Sequence, residues 1–248
     1  MANKIALQGV NKVFGHKAVL KGVTLDIPVG KTTVILGGSG SGKSVLLKCI
    51  LGLVTADSGK ILVDGLNTIN LREEPRQKLM KKFGMLFQSG ALFDSLTVWE
   101  NVAFGLLEAK QPRAKARQVA IEKLRLVGLK PETADQMPSE LSGGMRKRAA
   151  LARAICLEPE IIFYDEPTTG LDPITSDVIN ELIIKLQKEL GVTSVVITHD
   201  MHTAFKVGDQ VAMLYDGRII AADSPAKFQK LDNPYVQQFI HGRATGPI

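Results

Sequence analysis

The chain has 248 residues, 45% hydrophobic content, 5% aromatics and a formal charge of +6, enough apolar material for one large α/β domain or for a core with an inserted subdomain. No block of like charge and few aromatics leave no base-stacking platform for nucleic acid, so phosphate ligands plus a solvated surface account for the basic balance. No stretch nears the length of a membrane span and residues 1–4 open no apolar leader, so a soluble cytoplasmic chain is expected, reaching a membrane only through a partner.

Residues 5–14 and 19–27 read as two strands about a Gly15-His16 turn, and 28–30 turn the chain into a short β-branched run, 32–36, with the look of a buried strand. There follows Gly37-Gly38-Ser39-Gly40-Ser41-Gly42-Lys43-Ser44, which fits G-x-x-x-x-G-K-[ST], and then an apolar run from Val45 to Leu51 suited to a mostly buried helix. Strand before and helix after is the setting a phosphate loop needs. The glycines let successive N–H groups point inward, and with the helix N-terminus they cradle polyphosphate. Lys43 can reach the β and γ phosphates, and Ser44 can place its hydroxyl on Mg²⁺. A merely flexible Gly/Ser turn would need neither of these two residues nor the flanking pattern. Cys49 and Cys156 sit in apolar helical patterns and read as buried free thiols.

A polar break at 53–59 precedes a strand at 60–63 that ends in an Asp64-Gly65 turn. Charge thickens over 72–82, a short exposed helix, and 83–87 returns as a strand ending at Gln88. From 89 to 157 helical spacing takes over. Thr97 caps a helix through Leu107, with Glu100 completing a capping box, and 113–127 and 143–157 give two more helices. The core resumes at 161–164, followed by a helix with apolar residues at Ile174, Val178, Leu182, Leu186 and Leu190. A strand at 195–198 and a hairpin of 211–214 with 218–222 about Asp216-Gly217 complete it, and two short helical pieces follow from Ser224.

Two further stretches carry chemistry. Asp165-Glu166 ends the 161–164 strand, where an open parallel sheet lines its ligand crevice. Asp165 suits Mg²⁺, and Glu166 can orient and deprotonate an attacking water. In Leu141-Ser142-Gly143-Gly144-Met145, Ser142 is a helix N-cap and the glycine pair exposes N–H groups, a second anion site.

Phosphate loop, Gln88, a near-LSGGQ signature, Asp165-Glu166, Gly170-Leu171-Asp172 and His199 stand in the order seen in ABC-type ATPases, and the chain resembles that family over nearly its whole length. The resemblance implies an α/β P-loop NTPase of the ABC ATPase type, a RecA-like core with an antiparallel β-subdomain and an inserted helical subdomain. Its parts would be 1–88 with 158–223 as the nucleotide-binding core, 89–157 as the helical signature subdomain, and 224–248 as a tail. It implies that Phe14 stacks on adenine, that Gln88 reaches Mg²⁺ and the water, that His199 contacts the γ-phosphate, and that Asp172 lies in the loop crossing between protomers. Catalysis of ATP hydrolysis would fall to Glu166, His199 and Lys43. ATP would be held by Phe14 and by Gly37, Gly38, Ser39, Gly40, Ser41, Gly42, Lys43, Ser44 and Val45. Ser44, Gln88 and Asp165 would serve Mg²⁺. Leu141, Ser142, Gly143, Gly144 and Met145 would meet the nucleotide of the other subunit. One phosphate loop and one signature per chain then require a head-to-tail homodimer with two ATP at the interface. Met145 replaces the usual Gln of the signature, which removes a side-chain hydrogen bond there. Val45 replaces the usual second hydroxyl residue after Lys43.

The apolar stretch from Gln88 to Val102, the Met-containing signature and the tail with Gln237-Gln238-Phe239-Ile240-His241-Gly242 and Gly246-Pro247-Ile248 resemble the ATPases of MCE-type lipid transporters. That resemblance implies phospholipid transport at the cytoplasmic face of the inner membrane. The expected partners are an integral-membrane permease, an MCE-domain lipid-binding protein and a STAS-domain protein. ATPases of small-solute importers, such as those for amino acids, share every catalytic motif. Non-transport ABC proteins usually carry two cassettes or long insertions, which this chain lacks. Tyr235, Val236, Phe239 and Ile240 have little core left to fill, so the tail is expected to pack on a neighbouring subunit.

Overall fold

Along β1 (Asn3–Phe14) and β2 (Lys17–Pro28) apolar residues turn inward; in β2, Val23, Leu25 and Ile27 are buried while Thr24 and Asp26 face out. The computed structural model describes residues 2–248, and Met1 lies outside the described residues. It resolves into two compact units, one running to Arg76 and resuming with Val195–Ile248, the other spanning Gln77–Ser194.

In the first unit, β3 (Thr32–Leu36) is buried throughout and feeds α1 (Lys43–Ile50). β4 (Ser58–Val63) and β5 (Leu66–Asn67) complete an antiparallel sheet of order β2-β1-β4-β5, the β-subdomain expected from the sequence. α2 (Glu73–Met80) buries only Leu79, as its charge foretold.

The second unit opens with β6 (Phe83–Leu86). The single helix expected over 97–107 is two, α3 (Val98–Val102) and α4 (Phe104–Glu108). The chain unwinds at Ala103 (φ −84°, ψ 6°), and this one residue lets Phe104 turn its ring to 4.7 Å from Phe93. The expected capping box is present: Thr97 N–H donates to Glu100 Oε2 at 3.0 Å. α5 (Arg113–Leu126) is followed by two 3₁₀ turns, Pro131–Asp135 and Pro138–Glu140, each with proline in its first turn. α6 (Gly143–Ala154) leads to β7 (Ile161–Asp165), which pairs parallel to β6. α7 (Pro173–Leu190) ends at Gly191 in the left-handed conformation, before β8 (Thr193–Thr198).

From Val195 the first unit resumes, with α8 (Met201–Val207), β9 (Gln210–Tyr215) and β10 (Arg218–Asp223). Its second sheet has the order β10-β9-β3-β8, with β3 parallel to β9 and β9 antiparallel to β10. The β9–β10 turn is the expected Asp216-Gly217 pair, both at positive φ, as a two-residue hairpin requires. α9 (Pro225–Phe228) and α10 (Pro234–His241) form the tail. Of the four tail residues expected to find little core, Val236 departs from that expectation and is fully buried in its own chain, while Tyr235, Phe239 and Ile240 are half-buried, the Tyr235 ring 4.9 Å from Tyr215; Phe228 of α9 is also buried. Both cysteines are buried and free. No helix among the described residues is long and apolar enough to cross a membrane.

Candidate active site

In the first unit, β3 delivers Gly37 against β9. A Cβ at Gly37 would lie 2.4 Å from the Leu214 carbonyl oxygen and 2.7 Å from Ser41 Oγ, so the loop passes this strand only without a side chain. Gly42 (φ 106°) starts α1, and no side chain caps the helix there. Its first amides are left for an external acceptor, and the helix dipole favours an anion. Lys43 Nζ donates to the carbonyls of Gly37 at 2.7 Å and Gly38 at 2.9 Å, which holds the ammonium across the loop. Ser41 Oγ is buried with no hydrogen-bond partner among the described residues. An orphaned hydroxyl inside a glycine cradle fits a phosphate-binding loop. The Ser44 hydroxyl residue is exposed, and Val45 is half-buried. Beside Gly38–Ser41 lies a cavity of about 280 Å³ whose other walls include Met213, Tyr215, Phe239 and Ile248, so the tail closes one side of the loop.

Phe14, at the end of β1, is 48% exposed, with Lys12 Nζ 5.1 Å from the ring centroid. It is no core phenylalanine, and about half of its surface is open to solvent. His199, just past β8, is exposed, while the next residue, Asp200, caps α8 through the amides of His202 and Thr203.

In the second unit, parallel pairing sets Leu86 opposite Tyr164. Gln88 follows β6 by two residues and Glu166 follows β7 directly, so both lie beyond the C-terminal ends of adjacent strands, where open α/β sheets bind ligands. Asp165 is half-buried at the end of β7. Glu166 adopts φ 49°, a left-handed backbone seldom taken by a non-glycine residue. Its Oε2 accepts from Thr169 Oγ1 at 3.0 Å, and its carbonyl accepts from Lys147 Nζ at 3.2 Å. Burial pulls the Lys147 ammonium below the ordinary lysine range, while Asp165 and Glu166 pull it back up. The sequence reading passed over Lys147 and Thr169. The signal for Lys147 was its helical period, three residues after Gly144 and four before Leu151, both buried.

Ser142 caps α6 by accepting from Met145 N–H at 3.3 Å. A Cβ on Gly143 would meet Leu171 Cδ2 at 3.5 Å, and one on Gly144 would meet Thr175 Cγ2 at 2.4 Å. The signature turn is therefore packed on the Leu171–Thr175 segment. There Asp172 caps α7, with Oδ1 accepting from Thr175 N–H at 3.0 Å and Oδ2 from its hydroxyl at 2.5 Å. The Thr175 hydroxyl and amide hold the Asp172 carboxyl below the usual carboxylate range. Leu141 is buried, and its carbonyl accepts from Arg146. Met145 is half-buried, and its side chain carries no amide.

The Ser44 hydroxyl in the first unit, and the Gln88 amide oxygen and Asp165 carboxylate in the second, are each hard oxygen donors of the kind Mg²⁺ takes. No group of three or more His, Cys, Asp or Glu poised to hold a metal occurs among the described residues.

Residues 20–169 match the family model described as ABC transporter. The chain is 43% identical over its whole length to the intermembrane phospholipid transport system ATP-binding protein MlaF of Escherichia coli (strain K12), covering 92% of that protein. It is 41% identical, again over its whole length, to the probable ribonucleotide transport ATP-binding protein mkl of Mycobacterium leprae, covering 72% of it. Among solved structures, the dimeric ATP-binding cassette MJ0796, in a post-hydrolysis state bound to ADP and Pi, matches with a TM-score of 0.81 at 34% identity, covering 89% of this chain and 98% of that one. Another, cbiO1 from Clostridium perfringens, matches with a TM-score of 0.85 at 31% identity, covering 98% of this chain and 96% of that one.

Proposed function

Since the chain belongs to the ABC transporter family as an ATP-binding, ATP-hydrolysing subunit, we propose that it powers phospholipid transport through an integral-membrane permease. The observation that carries this reading is its 43% whole-length identity to a phospholipid transport ATPase. In this reading it works as a homodimer at the cytoplasmic face of the inner membrane, with an MCE-domain lipid-binding protein and a STAS-domain protein as further partners. The dimeric state of the solved cassette MJ0796 supports the pairing.

Each residue then has a task. The amides of Gly38–Val45 and the Lys43 ammonium take the β and γ phosphates, and Phe14 takes the adenine face. Ser44, Gln88 and Asp165 would hold Mg²⁺, which supplies charge neutralisation across the β and γ phosphates. Glu166 orients the attacking water and accepts its proton, and His199 contacts the γ-phosphate. Ser142, Gly143 and Gly144 present helix-start amides to the nucleotide on the partner subunit, and Asp172 holds the crossing loop beside them. Residues 89–157 act as the helical signature subdomain. A groove of about 450 Å³ in the second unit, lined by Phe83, Met85, Phe87, Phe93, Phe104 and Leu157 among others, leaves Phe87, Phe93 and Leu157 exposed. An apolar slot of this kind suits a permease helix.

A second reading, transport of a small polar solute, draws on the name of the mycobacterial relative. One experiment separates the two. The chain is co-expressed with a candidate permease and reconstituted in proteoliposomes. Movement of a fluorescent phospholipid that depends on ATP and disappears with Lys43→Ala is expected. ATP-driven ribonucleotide uptake without lipid movement would replace the first reading with the second.

A further inference from the structure

Lys147 is 5% exposed, on the face of α6 that turns into its own unit. Its Nζ donates to the Glu166 carbonyl at 3.2 Å, and the Thr169 amide donates to the same oxygen at 3.3 Å. The left-handed Glu166 peptide is thus held from two sides, while Thr169 Oγ1 holds the carboxylate itself at 3.0 Å. Burying an ammonium costs several kcal/mol, and an apolar side chain of the same length would often serve stability as well or better. The charge at this position therefore calls for a reason other than packing. A residue in a strained backbone conformation keeps it only where its surroundings over-determine it.

We propose that Lys147 is a positioning residue for hydrolysis, its ammonium fixing the Glu166 peptide in the conformation from which the carboxylate meets the attacking water. The proposal rests on the assignment of Glu166 as general base. It adds a link between sites. α6 begins with Ser142, Gly143 and Gly144, so the helix that would meet the partner's nucleotide also holds the base of its own subunit's site.

The test uses the full-length chain as Lys147→Met, Lys147→Arg, Glu166→Gln and the Lys147→Met/Glu166→Gln pair. Steady-state ATPase gives kcat and KM, a fluorescent ATP analogue gives affinity, single-turnover hydrolysis reads the slow variants, and calorimetry gives Tm. Lys147→Met should lower kcat about 100-fold, the loss that accompanies a misplacement of about 1 Å. KM, affinity and Tm should stay at or above the parent values, since a buried charge is gone. Lys147→Arg should recover most of the rate. In the Glu166→Gln background Lys147→Met should add no further loss. A Lys147→Met chain that turns over like the parent, that loses affinity or folding along with rate, or that Lys147→Arg cannot rescue overturns the proposal. A Glu166→Gln chain that still hydrolyses ATP normally brings down the assignment of Glu166 itself, an outcome told apart by that variant alone.

Discussion

Adjacent glycines at the start of α6 should respond to alanine with opposite signs. Both lie in a helix at ordinary φ, so alanine gains intrinsic helix preference at each, up to about 1 kcal/mol. At Gly143 the new methyl would meet only Leu171 Cδ2 at 3.5 Å, an ordinary contact. At Gly144 it would lie 2.4 Å from Thr175 Cγ2. That methyl cannot swing aside, because the Thr175 hydroxyl and amide are both bonded to Asp172, at 2.5 and 3.0 Å. Overpacking of this kind costs about 1–3 kcal/mol, and losing the Asp172 cap adds about 1 kcal/mol if Thr175 yields instead. At the middle of that range the clash outweighs the propensity gain by about 1 kcal/mol, and at this chain length 1 kcal/mol moves Tm by about 2–4 °C. Calorimetry of the nucleotide-free chain should therefore show Gly144→Ala melting a few degrees below the parent and Gly143→Ala at or above it. Equal shifts for the two, or the reverse order, would mean that the signature turn is not packed on Thr175 as described.

Lys43→Ala should abolish most ATPase activity without unfolding the chain; a coupled enzymatic assay beside a melting curve checks both. Phe14→Ala should weaken ATP binding by about tenfold, the loss of one aromatic stacking contact of about 1.4 kcal/mol, with little change in Tm because the ring is 48% exposed; a titration with unchanged affinity would remove the adenine assignment. Burial pushes the Cys156 thiol up to about 11, so the thiolate fraction at pH 8 is small and rises with pH. The native chain should therefore resist alkylation at Cys156 until denaturant is added, read by peptide mass spectrometry.

The parts legible in sequence were those in which backbone geometry dictates residue type. A phosphate loop needs glycine where no Cβ fits, and Gly37 meets the Leu214 carbonyl for that reason. The β9–β10 turn needs two residues at positive φ, and Asp216-Gly217 announces it. Continuous apolar runs marked β3, β7 and β8 as buried strands, and all three are. The break at Ala103 was not legible, because alanine is the best of helix formers; past it the Phe104 ring lies 4.7 Å from Phe93, a contact between residues eleven apart that helical period does not show. In the tail, Val236 was misjudged for a similar reason. Its period showed an apolar face, but whether the core had room for that residue depends on the space left by strands far away in the chain.

Lys147 shows how a function-bearing residue hides among look-alikes. It stands in Arg146-Lys147-Arg148, a run that composition alone assigns to solvent, and Arg146 is indeed exposed. Charge cannot single out the middle residue, but period can. Gly144, Lys147, Leu151 and Ala154 follow one another at three or four residues, and all four are buried. A cation that falls in register with glycine, leucine and alanine must find an acceptor, since an unpaired buried ammonium would neutralise or unfold the helix. The acceptor is the Glu166 carbonyl beside two carboxylates. The same test, a charged residue in step with the apolar stripe of its helix, marks Lys147 as buried from sequence; that its acceptor lies at the end of β7 follows only from the fold.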